Sequence, residues 1–393
     1  MTKNPKKKNL GYVLTLSFSH LVHDIPGAFL APILPLLIDK FGMTVFMAGL
    51  LDVFRRVPSL ANPFLGLLAD RMRIRYFIII TPGVTAVMMS LLGIAPTYTF
   101  LAIMLIISGI SSAIYHVTAP VMIKEVSIDR IGRGMSFYML GGELARTLGP
   151  MIILGAVSLW GLEGTWRLVP FGIAASAFLY FQLRNITVDR SQVEKGDAHA
   201  GRVLAALTPF FISLGGILLF QGAMKSALTI YLPTYLTVKG ASLWMAGISL
   251  SVLQFSGAAG TFLAGIISDR IGRKNALLII TATNPVLMWL FMNIDGIFVI
   301  PVLVLNGLFL FGSGPVLLAL VHDIKSKRMS FINSIFMTLN FVLSSLMVLV
   351  VGAAADRIGL DLTYKLSAIA AVGSLVFVIF LKMPGSPDKQ SGA

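Results

Sequence analysis

Ten ionisable side chains stand in stretches that are otherwise almost wholly apolar: His20, His23, Asp24, Asp52, Arg55, Arg56, His116, Glu143, Arg146 and Lys225. Their spacing is helical. His20 and Asp24 are four apart, as are Asp52 and Arg56, while Asp52 to Arg55 and Glu143 to Arg146 are three apart, so each set shares one helix face. The chemistry open to them is protonic and electrostatic. Carboxylates and histidines can load and release protons. Arginine grips forked oxyanions such as carboxylate, phosphonate or phosphate, and lysine acts as a point charge. Three carboxylates face four permanent cations, which leaves one positive charge unmatched and favours a substrate that brings negative charge. Arg55, Arg56, Arg146, Lys225, Asp52 and His23 are therefore the substrate-binding candidates. Asp24, His20, Glu143 and His116 are the proton-coupling candidates, with a proton gradient as energy source and no cofactor, metal ligand or catalytic residue expected.

The elements that hold these residues are membrane spans. Of the 393 residues, 56% are hydrophobic and 12% charged, with mean hydropathy +0.87, a composition that water does not solvate. A helix crosses a bilayer with ~20 apolar residues, whereas a barrel alternates over segments of about ten. Long apolar runs dominate here, and cutting them at polar and Gly/Pro punctuation gives twelve spans, near 10–38, 45–69, 76–94, 98–123, 134–159, 166–184, 205–236, 243–268, 275–293, 297–320, 330–354 and 363–381. The expected fold class is an all-α membrane protein of twelve transmembrane helices. Lys3, Lys6, Lys7 and Lys8 precede the first run with no small-residue cleavage site, so it reads as a retained span. One long polar segment contains Asp189, Arg190, Glu194, Lys195, Asp197, His199 and Arg202. It divides the chain into an N-terminal half at 1–184, a cytoplasmic linker at 185–203 and a C-terminal half at 204–393.

The halves repeat each other. At an offset of 198, Pro35 falls on Pro233, Gly42 on Gly240, Ala48 on Ala246 and Gly49 on Gly247, and after one inserted residue Asp70 falls on Asp269. Two six-helix pseudo-repeats of this kind enclose a substrate site near mid-membrane, between the halves. Lys225 aligns with Gly27 and is expected across that cavity from span 1, in the break-prone middle of span 7. Span 1 itself runs through Pro26, Gly27, Pro32 and Pro35, so its titratable residues lie beside a helix interruption, where backbone groups are left for a ligand or a proton.

Loop charges set the orientation, because Lys and Arg collect on the cytoplasmic side. With both termini inside, cytoplasmic segments hold 22 basic and 9 acidic residues, external loops 5 and 5, and spans 4 and 3, which together account for the net +14. The basic residues are spread among short loops rather than gathered on one face, which argues against nucleic acid as partner. Absence of cysteine excludes disulfides and thiolate chemistry. No nucleotide loop or catalytic motif occurs. A membrane-embedded enzyme using His20, Asp24 and His116 as acid, base or metal ligands is a remote alternative.

After span 2 comes Gly66 to Tyr76, GLLADRMRIRY, and after span 8 comes Gly265 to Asn275, GIISDRIGRKN. These resemble the signature of the major facilitator superfamily, G-x-x-x-D-R-x-G-R-[RK]. The second copy fits throughout, whereas the first has Arg73 for the glycine and Ile74 for an arginine. The resemblance implies the major facilitator fold and a latch at the cytoplasmic gate made of Asp70, Arg71, Asp269, Arg270 and Arg273, with arginine partners such as Glu125 or Asp129. In span 5, Gly141, Ala145 and Gly149 form a small-residue stripe along which helices can approach closely. The surrounding GGELARTLGP resembles the antiporter motif of the same superfamily, with Ala145 in place of a glycine and Ile153-Leu154 in place of the final pair.

Ser19-His20-Leu21 followed by Asp24, together with Tyr115-His116, is similar to the fosmidomycin-resistance branch, in which S-H-L-x-x-D in span 1 accompanies His-Pro-Glu in span 4. Here Val117 and Thr118 follow His116. The resemblance implies a secondary transporter working by alternating access, a proton antiporter exporting a small anionic or zwitterionic compound. An uptake symporter for an organic anion is the second reading. The expected setting is the plasma (inner) membrane, multi-pass, with the chain as a monomer whose partners are its substrate and the lipid bilayer.

Overall fold

The computed structural model describes residues 5–62, 64–65, 74–127, 131–184, 186, 200–294, 296–324 and 329–382. All regular structure among them is helical. The first half contains α1 (Pro5–Gly27), α2 (Leu30–Phe41), α3 (Val45–Arg56), α4 (Ile74–Ser90), α5 (Tyr98–Val126), α6 (Ile131–Trp160) and α7 (Val169–Leu183). The second contains α8 (Ala200–Thr229), α9 (Leu232–Val238), α10 (Leu243–Ile271), α11 (Arg273–Asn293), α12 (Val299–His322), α13 (Met329–Ile358), α14 (Leu360–Val372) and α15 (Ser374–Ile379). Ten stretches among the described residues are long and apolar enough to cross a membrane. The other two expected spans are α3, which tightens into a 3-10 turn at Val57–Ala61 ahead of residues outside the description, and the 15-residue α7.

Spans 1 and 7 are each built from two helices. Between α1 and α2 the chain closes with Ala28 N–H on the carbonyls of Asp24 and Ile25 and Phe29 N–H on that of Pro26. Pro26, Pro32 and Pro35 carry no N–H, so the carbonyls of Val22, Ala28 and Ala31 lose their i+4 donors. The corresponding break in the second half is at 230–231, and Lys225 lies about one turn before it.

The repeat holds bond by bond at the offset of 198. Met43 N–H reaches the Ile38 carbonyl as Ala241 N–H reaches that of Leu236. Thr44 Oγ1 accepts from Met47 N–H as Ser242 Oγ accepts from Met245 N–H, a shared N-cap. Gly42 and Gly240 both take positive φ, 59° and 91°, which ordinary side chains resist.

The chain forms two compact units. The first comprises Met1–Met43, Leu50–Val193 and Leu236–Ser251, and its core includes Leu16, Ile78, Tyr115, Met122, Tyr138 and Leu179. The second comprises Thr44–Gly49, Glu194–Tyr235 and Val252–Ala393, around Leu207, Phe210, Leu214, Leu277, Leu317 and Phe336.

In the first unit, α6 packs on α1 along the small-residue stripe. A Cβ on Gly141 would lie 2.3 Å from the Ser17 carbonyl oxygen, and one on Gly149 2.6 Å from Ala28 Cβ. Close approach along this seam therefore requires the glycines. At one end of the unit, Lys40 Nζ donates to the Gly93 carbonyl at 2.7 Å and to Glu163 Oε1 at 2.8 Å. That ammonium holds the Glu163 carboxyl below its ordinary range.

The second unit contains a further segment of this type, Gly352 to Gly359, which keeps G-x-x-x-D-R-x-G in full as 265–272 does. Gly272 and Gly359 end their copies in the same way, with φ of 88° and 79°, each preceding a new helix. Asp356 of this copy accepts from the first backbone N–H groups of α3, at 2.6 Å from Val45 and 2.9 Å from Phe46. A carboxylate on two helix N-terminal donors satisfies orphan groups and meets the positive end of the helix dipole.

Candidate functional site

The titratable residues of α1 are assembled by α5 and α6. His20 stacks on Tyr138, with ring centroids 4.1 Å apart, and its Nδ1 lies 2.7 Å from the Tyr138 carbonyl oxygen. A carbonyl only accepts, so Nδ1 carries the hydrogen and Nε2 turns to Asp24 Oδ2 at 3.3 Å. An ionised carboxylate also only accepts. A single proton, on the imidazole or on the carboxyl, would satisfy that contact. On the other carboxylate oxygen, His116 of α5 brings Nε2 to 3.3 Å from Oδ1. Asp24 thus joins two histidines from two helices.

His23 stacks on Tyr115 at 4.1 Å, and the Tyr115 hydroxyl lies 2.7 Å from Ser19 Oγ. At 1% exposure, His23 has no hydrogen-bond partner on either ring nitrogen among the described residues. Gly142 backs the cluster, since a Cβ there would sit 2.5 Å from His20 Cε1.

A second locus lies on α3. Asp52, 1% exposed, meets Arg56 Nε at 2.6 Å and Arg55 Nη2 at 3.8 Å. One carboxylate serves two guanidinium groups, so this trio carries a net +1. Arg55 reaches the interruption of α1, its Nη1 3.6 Å from where a Cβ on Gly27 would be. Glu143 and Arg146 contact each other directly on α6, as a separate pair. In the second unit, Lys225 is exposed and its Nζ lies 5.6 Å from the centre of the Phe311 ring.

All the pairs read from the helical spacing are therefore formed. Spacing did not reveal the contact of His116 with Asp24 or the role of Tyr138. A signal for Tyr138 was present, because it precedes Gly142 by four and Ala145 by seven residues and so shares their helix face.

Of the cytoplasmic latch candidates, Asp70 and Arg71 fall outside the described residues. In the other copy, Arg273 Nη1 meets Asp269 Oδ1 at 2.5 Å and Ser268 Oγ at 2.6 Å, and its Nε reaches Asp323 Oδ2 at 3.4 Å. Arg273 thereby ties the end of α10 to the end of α12. Arg270 is exposed. Both carboxylate partners of Arg273 belong to its own unit; Asp129, one of the expected acidic partners, is outside the description.

The sequence profile of the Major Facilitator Superfamily matches residues 16–347. The chain belongs to the major facilitator superfamily. It is 23% identical over 375 residues to the fosmidomycin resistance protein of Escherichia coli (strain K12), covering 92% of this chain and 90% of that one. Among solved structures, a D-xylose-proton symporter gives a TM-score of 0.75 at 14% identity, over 95% of this chain and 98% of the other. A bacterial homologue of the human lysosomal transporter Spinster, inward-facing and unoccupied, gives 0.73 at 17%, over 97% and 96%. These likenesses establish the fold. As a major facilitator, the protein is a multi-pass membrane transporter of small molecules and not an enzyme.

Proposed function

We propose that this major facilitator is a proton-coupled antiporter that expels a small anionic or zwitterionic compound by alternating access. The observation that carries the reading is Asp52 shared between Arg55 and Arg56, a built locus of net positive charge beside the interrupted α1. A charged side chain within a bilayer costs about 2.5–3.5 kcal/mol on insertion scales, so an unmatched arginine there is retained for function. Its forked donors suit a carboxylate, phosphonate or phosphate. Arg146 and, in the second unit, Lys225 are further substrate-binding candidates. Asp24 and Glu143 are the candidate proton carriers, with His20 and His116 beside Asp24. Similarity over 92% of the chain to a protein named for fosmidomycin resistance, and fosmidomycin's own phosphonate group, support the choice of ligand and of export.

The reading is tested in proteoliposomes with fosmidomycin and an imposed proton gradient. The expected result is exchange of the compound against protons, lost in Arg55→Gln and uncoupled in at least one of Asp24→Asn and Glu143→Gln. Uphill accumulation driven by a gradient running in the same direction as the compound would make the protein an uptake symporter. Full proton-coupled transport in both carboxylate variants would remove the assigned carriers.

A further inference from the structure

We propose that His20 and Asp24 of α1 and His116 of α5 form a binding site for one divalent cation of the zinc class. Their ligand atoms all lie within 4.8 Å of one another. The two nitrogen-to-oxygen separations are 3.3 Å each. With metal–ligand bonds of about 2.0–2.1 Å, the edge of a zinc tetrahedron is about 3.3–3.4 Å, so each histidine nitrogen stands one such edge from its own oxygen of Asp24, Oδ2 for His20 and Oδ1 for His116.

The partner of the other ring nitrogen of His20 points the same way. A histidine that binds a metal through one ring nitrogen normally donates its other N–H to a carbonyl or carboxylate, which fixes the tautomer and aims the lone pair. His20 meets that requirement, with Nδ1 2.7 Å from the Tyr138 carbonyl oxygen, its ring stacked on Tyr138 and Gly142 behind it. The helix seam thus holds Nε2 toward Asp24.

Donor chemistry selects the ion. Two imidazoles and one carboxylate suit zinc, cobalt, nickel or iron(II), whereas calcium and magnesium prefer sets made of oxygen alone. Side-chain exposure rises from 6% at His20 through 19% at Asp24 to 41% at His116. The site is therefore closed at His20 and open at His116. Three protein ligands leave a fourth position for water.

This inference does not rest on the proposed transport cycle. A cation and a coupled proton would compete for the same lone pairs of His20 and Asp24, so the test reads bound metal directly.

The experiment uses the full chain, without a polyhistidine tag, purified in detergent, stripped with chelator and dialysed against cobalt(II). The expected result is one cobalt per chain by elemental analysis, with visible d–d absorption that zinc(II) abolishes. His116→Gln and Asp24→Asn weaken binding at least tenfold, and His322→Gln, on the exposed end of α12, binds like the parent. The partly exposed His116 is the substitution least disruptive to packing, so His116→Gln decides alone if Asp24→Asn does not purify as a single species. No cobalt on the parent chain, or equal affinity in His116→Gln, overturns the site. Cobalt binding without transport of fosmidomycin would count against the antiporter reading alone.

Discussion

At Asp52 a single buried carboxylate serves two arginines of unequal closeness, 2.6 Å to Arg56 and 3.8 Å to Arg55. The inequality separates support from recognition. Removing the carboxylate leaves two partly buried cations together, a change that costs about 3 kcal/mol or more where an ion pair is well buried. Asp52→Asn should therefore lower the melting temperature in detergent markedly. Arg55→Gln removes the more distant partner and keeps the tight pair, so its melting temperature should stay near the parent's while affinity for a phosphonate falls at least tenfold. Arg55→Lys should not restore binding, because a point charge does not reproduce the planar fork. A large loss of stability in Arg55→Gln, with anion binding intact, would show that Arg55 is structural.

Helix ends determine where these residues stand, and Asp356 at the end of α13 is the clearest case. It accepts from two N–H groups that open α3, the helix whose other end holds Asp52, Arg55 and Arg56. Loss of a capping side chain costs about 1 kcal/mol, with up to about 2 in favourable sites. Asp356→Ala should speed hydrogen exchange of the Val45 and Phe46 amides roughly tenfold, the rate equivalent of about 1.4 kcal/mol, while leaving exchange in the middle of α13 unchanged. Unchanged exchange at both amides would remove the cap from the account. The recurrence of G-x-x-x-D-R-x-G at 352–359 made this legible in the sequence. The charge pattern assigns this copy to an external loop, whereas the two copies at 66–76 and 265–275 belong to loops assigned to the cytoplasmic side.

At the scale of the whole chain, the features read most directly are those that hydrophobicity and repetition control. Span positions follow from runs of about twenty apolar residues. Offset by 198, the same turns, N-caps and positive-φ glycines recur. What periodicity does not contain is the identity of a neighbour across a helix seam. It places His116 on a face of α5 but cannot name Asp24, because that contact depends on how α5 packs against α1, which is itself seated on α6 through Gly141, Gly142 and Gly149. The charge balance makes a prediction at this same scale. Assigning both termini to the cytoplasm puts +13 of the net +14 on that side and leaves the external loops neutral. Because the chain has no cysteine, single introduced cysteines report sidedness without a background. Lys195→Cys, in the polar linker, should react with a membrane-impermeant maleimide only after the membrane is opened, and Glu163→Cys should react in intact cells. Labelling of Lys195→Cys in intact cells would invert the topology, and with it the assignment of 66–76 and 265–275 to the cytoplasmic face.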